Sequence, residues 1–182
     1  MFQPEFEQME RSDLETLKLG RLKATLERIS SRNRFYSEKL NNLTSQNIAC
    51  LEDIQQFPLM TKDDLRKGYP FKYACADPSD FMRIHMSSGT TGTPIINPFT
   101  QKDIEQWANL MARCYVIAGI TPQDVVQITP SFGLFNGGFG FHYGAEKLGA
   151  MIVPCGAGRS MLQLRFLRDF KVDCLTAISS YP

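Results

Sequence analysis

Several features typical of other protein classes are scarce in this chain of 182 residues. Lys and Arg number 20 against 19 acidic residues, so the net charge is +1 and no charged field recruits nucleic acid or an anionic membrane. No apolar run approaches the length that spans a bilayer. The five cysteines are scattered and include no CxxC pair, which argues against zinc or dithiol chemistry. We expect a protein that binds neither nucleic acid nor membrane, with reduced and mostly buried thiols.

A secretory signal and a histidine-based active site are also lacking. The first residues, MFQPEFEQMERSD, carry acids where a signal peptide carries basic residues, so the cytoplasm is the expected location. Only two histidines are present, and neither accompanies a nucleophile pattern. We predict His85 to be a structural residue within a strand, whereas His142 is either a pocket wall or a packing residue. No metal-ligand cluster is predicted.

What the chain does contain is a run of small, hydroxylated and glycine residues, SSGTTGTP, at positions 87–94. Glycine lets successive backbone amides point at one anion, and hydroxyls can donate further hydrogen bonds to it. The run differs from the GxxxxGK[ST] loop, because no Lys follows Gly92 and the next segment is predicted as a strand. We predict a polyphosphate site, the alternative being a polar surface turn. The predicted phosphate-binding residues are Ser87, Ser88, Gly89, Thr90, Thr91, Gly92 and Thr93.

Hydrophobic periodicity divides the chain into two predicted domains. Residues 1–80 are a helical and loop-rich lead-in, with an amphipathic helix over 14–31 capped by Ser12 and packed within its own domain, and a later helix capped by Thr61. Residues 81–182 alternate between strands and helices. The predicted strands are FMRIHM, IINPF, VVQIT, AMIVP and VDCLTAIS, with helices starting near Thr100, Gly138 and Met161. Such alternation predicts an α/β sheet with helices on its faces.

A second informative run, PSFGLFNGGFGFHYG at 130–144, combines phenylalanine with glycine. Aromatic walls and a close backbone approach suit the binding of a flat aryl group. Composition alone slightly favours a different interpretation, in which the glycines allow a helix to pack closely on a sheet.

Four stretches carry a resemblance to a known family: RIHMSSGTTGTP, DIEQWANLMARC, GFHYGAEKLGA and VPCGAGRS. They resemble the phenylacetate-coenzyme A ligases, a branch of the adenylate-forming enzymes, and FPLMTKDDLRKGYPF and RNRFYSEKL are similar to that family's amino-terminal region. The resemblance implies the amino-terminal part of the large α/β domain of an AMP-forming acid–thiol ligase of phenylacetate catabolism. Such an enzyme uses ATP, Mg2+ and coenzyme A, and a small aromatic carboxylic acid is the expected partner.

The resemblance also assigns roles to residues. It assigns the ATP phosphates to the glycine-rich segment and favours the acyl-pocket interpretation for the phenylalanine-rich run. The implied acyl-pocket residues are Phe132, Phe135, Gly137 and Phe139. His142 and Arg159 are further candidates: Arg159 follows a GAG triplet, where it could meet a coenzyme A or ATP phosphate, although a solvated arginine at a helix start is favoured on general grounds.

Two departures from the family pattern qualify this assignment. Thr93 stands where many relatives carry Lys, which removes a cationic phosphate contact. The family is more than twice as long, so the catalytic residues are expected outside this amino-terminal fragment, and we predict that these 182 residues alone do not turn over. The alternatives are a non-catalytic nucleotide-binding or interaction module, and a relative that adenylates a different aromatic acid or a deazaflavin. An exposed sheet edge keeps a homodimer among the predicted assemblies.

Overall fold

A computed structural model of the chain describes residues 1–87, 92–134 and 136–179. Of the predicted site residues, Ser88, Gly89, Thr90, Thr91 and Phe135 lie outside the described residues. The described residues form two compact units. The α/β unit contains residues 1–3, 82–87 and 99–179 apart from 135, and the helical unit contains residues 4–81 and 92–98.

The helical unit is organised around one long helix. Its helices are α1 (Pro4–Glu7), α2 (Arg11–Arg32), α3 (Arg34–Leu40) and α4 (Lys62–Lys67), with short 3₁₀ helices at Ser45–Asn47, Leu51–Gln56 and Pro78–Asp80. Its buried core consists of Leu26, Leu40, Ile48 and Phe57. Leu19, Leu22 and Ile29 of α2 pack against this core. The apolar stripe of α2 therefore packs within its own unit, as predicted.

The predicted Ser12 cap is wrong. Helix α2 begins at Arg11 with Glu10 at the N-cap position, so Ser12 lies inside the first turn, where its carbonyl accepts a hydrogen bond from the Thr16 hydroxyl at 3.0 Å. An ion pair between Arg11 and Glu15, 2.7 Å long, supports this earlier start. Residues four apart are neighbours on a helix surface, so opposite charges stabilise the turn that precedes the first apolar residue.

The predicted Thr61 cap is confirmed. The Thr61 hydroxyl accepts the backbone N–H of Asp64 at 3.3 Å, and the Asp64 carboxylate accepts the Thr61 N–H at 2.9 Å. The Lys39 ammonium also donates to this carboxylate, at 2.7 Å. The hydrogen bond from Lys39, followed by those from Thr61, holds the pKa of Asp64 well below its ordinary value, since each favours the charged form.

Because of this pKa shift, we expect Asp64→Asn to make the chain less sensitive to acid. A carboxylate whose pKa is depressed by folding contributes stability above about pH 4, and this contribution is lost as the pH falls further. The urea midpoint of the wild type should therefore fall more steeply between about pH 5 and pH 3 than that of the variant. Asp63→Asn is the matched control, because the Asp63 side chain is 75% exposed against 21% for Asp64. Equal slopes for wild type and Asp64→Asn would contradict this prediction.

The second half of the chain alternates strands and helices, which confirms the predicted α/β class. Its elements are β1 (Phe81–Met86), β2 (Ile96–Thr100), α5 (Gln101–Ile117), β3 (Val125–Ile128), α6 (Gly137–Leu148), β4 (Met151–Val153), α7 (Ser160–Asp169) and β5 (Cys174–Thr176). Strands β4, β3 and β5 form a parallel sheet in that order, with Val126 aligned with Ile152 on one side and Cys174 on the other. The core beside the sheet consists of Tyr115, Val126, Ile128, Ala145 and Ala150.

The predicted boundaries of α5 and α6 follow from local capping. The Thr100 hydroxyl accepts the Asp103 N–H at 3.3 Å and the Asp103 carboxylate accepts the Thr100 N–H at 2.8 Å, so Thr100 caps α5 as predicted. Gly149 ends α6 with a φ of 87°, a conformation that favours glycine. No helix within the described ranges is both long and apolar enough to cross a membrane.

The prediction of mostly buried thiols is wrong. Cys50 and Cys114 are exposed, whereas Cys75, Cys155 and Cys174 are half-buried, and all five are free. In α5 the buried face is formed by two alanines and a tyrosine, which leaves the cysteine of this helix on the solvent side.

Candidate nucleotide and acyl site

Strand β1 leads directly into the glycine-rich segment and has its polar side chains on the inner face. His85 is 1% exposed and Arg83 is half-buried, whereas Met82 is 63% exposed. Successive residues of a strand face opposite sides, so Arg83 and His85 share one face. The sequence analysis missed Arg83, although its spacing of two from His85 within a predicted strand was the available signal. The structure thus places two nitrogen-bearing side chains on one face of the strand that ends just before Ser87.

His85 lies within a cage of aromatic rings. Its ring centroid is 5.5 Å from that of Phe99, 5.7 Å from Trp107 and 5.6 Å from Phe139. Nδ1 lies 3.2 Å from the carbonyl oxygen of Leu134, and no described residue provides a hydrogen-bond partner for Nε2. Burial lowers the pKa of the imidazole, since a buried charge loses its hydration. His85 is therefore a buried ring whose neutral form is favoured, in keeping with the prediction of a structural residue.

Arg83 connects β1 to helix α6. Its guanidinium carbon lies 4.1 Å from the ring centroid of Phe139 and 5.1 Å from that of Tyr143, and the guanidinium donates a hydrogen bond to the Tyr143 hydroxyl. A cation over an aromatic face is attracted by the negative charge of that face. Arg83 and Tyr143 also line an open groove of about 500 Å³ whose other wall includes Ile104 and Glu105 of α5. Arg83 thereby orders one end of the phenylalanine-rich run.

The rings of this run form a continuous aromatic wall, which we define as Phe132, Phe139, His142 and Tyr143. Phe132 meets Phe139 edge-on at 5.4 Å and His142 at 6.1 Å, and Phe139 stacks on Tyr143 at 6.1 Å. Phe132 and Phe139 are half-buried, so each has surface available for a ligand. The structure brings together three of the predicted candidates, Phe132, Phe139 and His142. Gly137 opens α6 and is exposed.

Glycines of the same run serve close packing, but against a helix rather than the predicted sheet. A methyl group added at Gly144 would lie 2.5 Å from Cβ of Met111, and one added at Gly140 would lie 2.6 Å from the Trp107 ring. Both contacts are with α5. Because real Cβ atoms do not approach so closely, only glycine allows α6 to lie at this distance. Helix α6 thus carries both the packing glycines and three residues of the wall, Phe139, His142 and Tyr143.

The segment that contains Arg159 approaches the wall through a glycine. A methyl group added at Gly156 would lie 3.6 Å from the Phe132 ring, and the Gly156 N–H donates to the carbonyl of Ile128 at 3.0 Å. The buried Gln163 amide donates to the carbonyls of Gly156 and Gly158 at 2.8 and 2.6 Å. Arg159 itself is exposed, with a left-handed φ of 55° at the start of α7.

Three predicted phosphate-binding residues are described: Ser87, Gly92 and Thr93. All are exposed, and Gly92 has a φ of 126°, which favours glycine. Ser87 belongs to the α/β unit, and the other two belong to the helical unit. Within the described part of the chain, no three His, Cys, Asp or Glu side chains come together to hold a metal ion.

The fold of the chain occurs in solved coenzyme A ligases. An open conformation of 2-hydroxyisobutyryl-CoA ligase, in complex with 2-HIB-AMP and CoA, matches 98% of this chain and 43% of its own with a TM-score of 0.90 and 28% identity. The same ligase in the thioesterification state matches 94% of this chain and 38% of its own, with a TM-score of 0.88 and 30% identity. The architecture is therefore that of a part of the adenylate-forming coenzyme A ligases.

The sequence comparison narrows this class to one family. No family model matches the chain. A phenylacetate-coenzyme A ligase from Escherichia coli is 39% identical over 171 residues, covering 93% of this chain and 39% of that protein. Its counterpart from Pseudomonas putida is 42% identical over 74% of this chain and 30% of that protein, and the one from Thermus thermophilus is 34% identical over 100% and 41%.

The chain thus spans about two fifths, or less, of the length of these relatives. The resemblance inferred from the motifs is confirmed: the chain is related in sequence to the phenylacetate-coenzyme A ligase family, and it corresponds to a portion of its members.

Proposed function

We propose that this chain forms the nucleotide- and acid-binding part of an AMP-forming coenzyme A ligase that acts on phenylacetate or a similar aryl acid. One observation carries the proposal. In a chain 39% identical to a phenylacetate-coenzyme A ligase, the strand that enters the glycine-rich segment contacts an aromatic wall through Arg83 and His85. Adenylation of an acid requires a phosphate site and an acyl site next to each other.

The proposed reaction has two transfers. In the first, a carboxylate oxygen of the acid attacks the α-phosphorus of ATP, and the bond to the pyrophosphate oxygen breaks. In the second, the coenzyme A thiol, after losing its proton, attacks the acyl carbon, and AMP leaves. A carboxylate is already nucleophilic, so the first step needs alignment and charge neutralisation rather than a general base. This requirement suits a site whose buried histidine is neutral.

The residues present are suited to a polyanion and a flat acid. Hydroxyls such as those of Ser87 and Thr93 donate hydrogen bonds to ionised phosphate oxygens. The half-buried rings of Phe132 and Phe139 offer an apolar surface to an aryl ring. Mg2+, when bound with ATP, would neutralise phosphate charge, and we expect its protein ligands outside the described residues. His142 would lie at the rim of the acid site, because it contacts Phe132 and is half-buried.

The test is Phe132→Ala in the product of the complete native reading frame. We expect the KM for phenylacetate in pyrophosphate release to rise by at least about tenfold, because a buried aromatic contact contributes on the order of 1 to 2 kcal/mol, while the KM for ATP stays unchanged. Phe170→Ala is the matched control, since Phe170 is 41% exposed, directly follows α7 and pairs with Phe166 of that helix instead of the wall. Benzoate and 2-hydroxyisobutyrate are assayed alongside.

The assay distinguishes the proposed aryl-acid ligase from a ligase for another acid and from a nucleotide-binding module. A preference for 2-hydroxyisobutyrate, the acid of the structural relative, would contradict the aryl specificity. ATP binding without release of pyrophosphate for any acid would favour a nucleotide-binding module instead. For the 182 residues alone, we expect Mg-ATP binding without acid-dependent pyrophosphate release.

A further inference from the structure

One backbone carbonyl, that of Leu134, joins β1 to the segment that carries the aromatic wall. It accepts the backbone N–H of Met86 at 2.9 Å, and Nδ1 of His85 lies 3.2 Å from the same oxygen. A carbonyl oxygen can only accept, so this contact is a hydrogen bond only when Nδ1 carries the proton. The tautomer of His85 is thereby determined by its partner.

The role of this hydrogen bond is to hold the segment that carries the aromatic wall, and it does not bind a ligand directly. His85 is 1% exposed, so its ring does not reach solvent. Leu134 follows Phe132 by two residues, and the His85 ring packs edge-on against Phe139, which in turn contacts Phe132 at 5.4 Å. A change at the His85 ring therefore reaches the wall through both the Leu134 carbonyl and the Phe139 ring.

Strand β1 ends at Met86, and the glycine-rich segment begins at the next residue, Ser87, two positions after His85. A phenylalanine would fill the aromatic cage without burying a polar ring. Burial of the imidazole is unfavourable, and only a hydrogen bond to the ring offsets this loss. A histidine adds one property to the cage, a directed N–H donor toward the Leu134 carbonyl.

We propose that His85 is a positioning residue for acid binding, which aligns Phe132 and Phe139 with the start of the glycine-rich segment by donating its Nδ1–H to the Leu134 carbonyl. This inference rests on the proposed function, since it concerns the acid site of that reaction. The inference assigns the effect on acid binding to the Nδ1–H group of His85, and two variants distinguish this donor from the rest of the ring.

His85→Asn keeps a donor at the position of Nδ1 and removes the ring, whereas His85→Phe keeps the ring and removes the donor. In the complete gene product, we expect His85→Phe to raise the KM for phenylacetate at least about tenfold and His85→Asn to raise it less than about threefold, with the KM for ATP unchanged in both. Ile84→Val, on the opposite face of β1, is the control. Melting temperatures are measured for all variants. If the role of His85 were merely structural, the KM for phenylacetate would change in parallel with the melting temperature and not with the presence of the donor.

The possible results separate this inference from the proposed function. If the KM for phenylacetate is unchanged in His85→Phe but raised in His85→Asn, the packing of the ring matters and not the donor, and the inference is wrong. Nitrogen NMR of the wild type that shows a protonated Nε2 and a bare Nδ1 would overturn it without reference to activity. If the wild type turns over no acid at all, the proposed function fails and the inference with it. A wild type that is active, with both variants unchanged, overturns the inference alone.

Discussion

Gly144→Ala is expected to lower the free energy of unfolding of the α/β unit by about 2 to 3 kcal/mol, the usual cost of overpacking a filled interior. The added methyl group would lie 2.5 Å from Cβ of Met111 and 2.8 Å from its backbone carbonyl carbon. A side chain can rotate away from such a contact, but the backbone of α5 cannot. Helix α6 would have to move away from α5, and the higher helix propensity of alanine, worth about 1 kcal/mol, offsets only part of the loss.

The matched control is Gly20→Ala, which lies within α2. Gly20 is exposed and a methyl group there would meet nothing within 4 Å, so alanine should stabilise the chain by about 0.5 to 1 kcal/mol. Urea unfolding is followed by circular dichroism and by the fluorescence of Trp107, the one tryptophan of the chain, which lies in the same unit as Gly144. A shift of the same sign in both variants would contradict the close-packing argument.

Asn33→Ala is expected to destabilise the helical unit by about 2 to 4 kcal/mol, because the change removes a helix cap together with two long-range hydrogen bonds from a buried amide. The buried Asn33 side chain accepts the N–H groups of Phe35 and Tyr36 at 2.9 and 3.4 Å, which caps α3. Its amide donates to the carbonyls of Lys72 and Ala74 at 2.8 and 2.6 Å. One side chain thus connects the start of a helix to a segment about 40 residues away.

Two further variants separate these roles in urea unfolding. Asn33→Asp keeps the capping oxygen but turns a carboxylate toward the carbonyls of Lys72 and Ala74, so at pH 7 it should be no more stable than Asn33→Ala. As the pH is lowered toward 4, the protonated acid can donate again, and Asn33→Asp should gain stability relative to Asn33→Ala. Asn47→Ala is the control and should cost about 1 kcal/mol or less, because Asn47 caps an exposed turn. A cost at position 33 no larger than at position 47 would show that the long-range bonds contribute nothing.

Local sequence was sufficient for most elements of the fold. The alternation after Phe81, the caps at Thr61 and Thr100 and the stop at Gly149 were predictable because each depends on residues within a few positions. The start of α2 was not, because the prediction placed the cap beside the first apolar residue and gave no weight to the Arg11–Glu15 ion pair one turn earlier. For the glycines of the phenylalanine-rich run, composition alone favoured close packing of a helix on a sheet, and the resemblance favoured an acyl pocket. Gly140 and Gly144 do pack closely, but against α5, because composition does not show which element lies opposite a helix face.

The sequence by itself determined the order of helices and strands, the glycine-rich segment after β1 and the relationship to the coenzyme A ligases, because these depend on local patterns and on motifs of adjacent residues. Only the tertiary structure decided that His85 meets the Leu134 carbonyl, 49 residues later, and that Arg83 meets Tyr143, 60 residues later. The physical reason is that such contacts depend on how helix α6 packs against α5 and approaches β1. The distance between α6 and α5 is determined by Gly140 and Gly144, and their role becomes visible only when the surface of α5 opposite them is known.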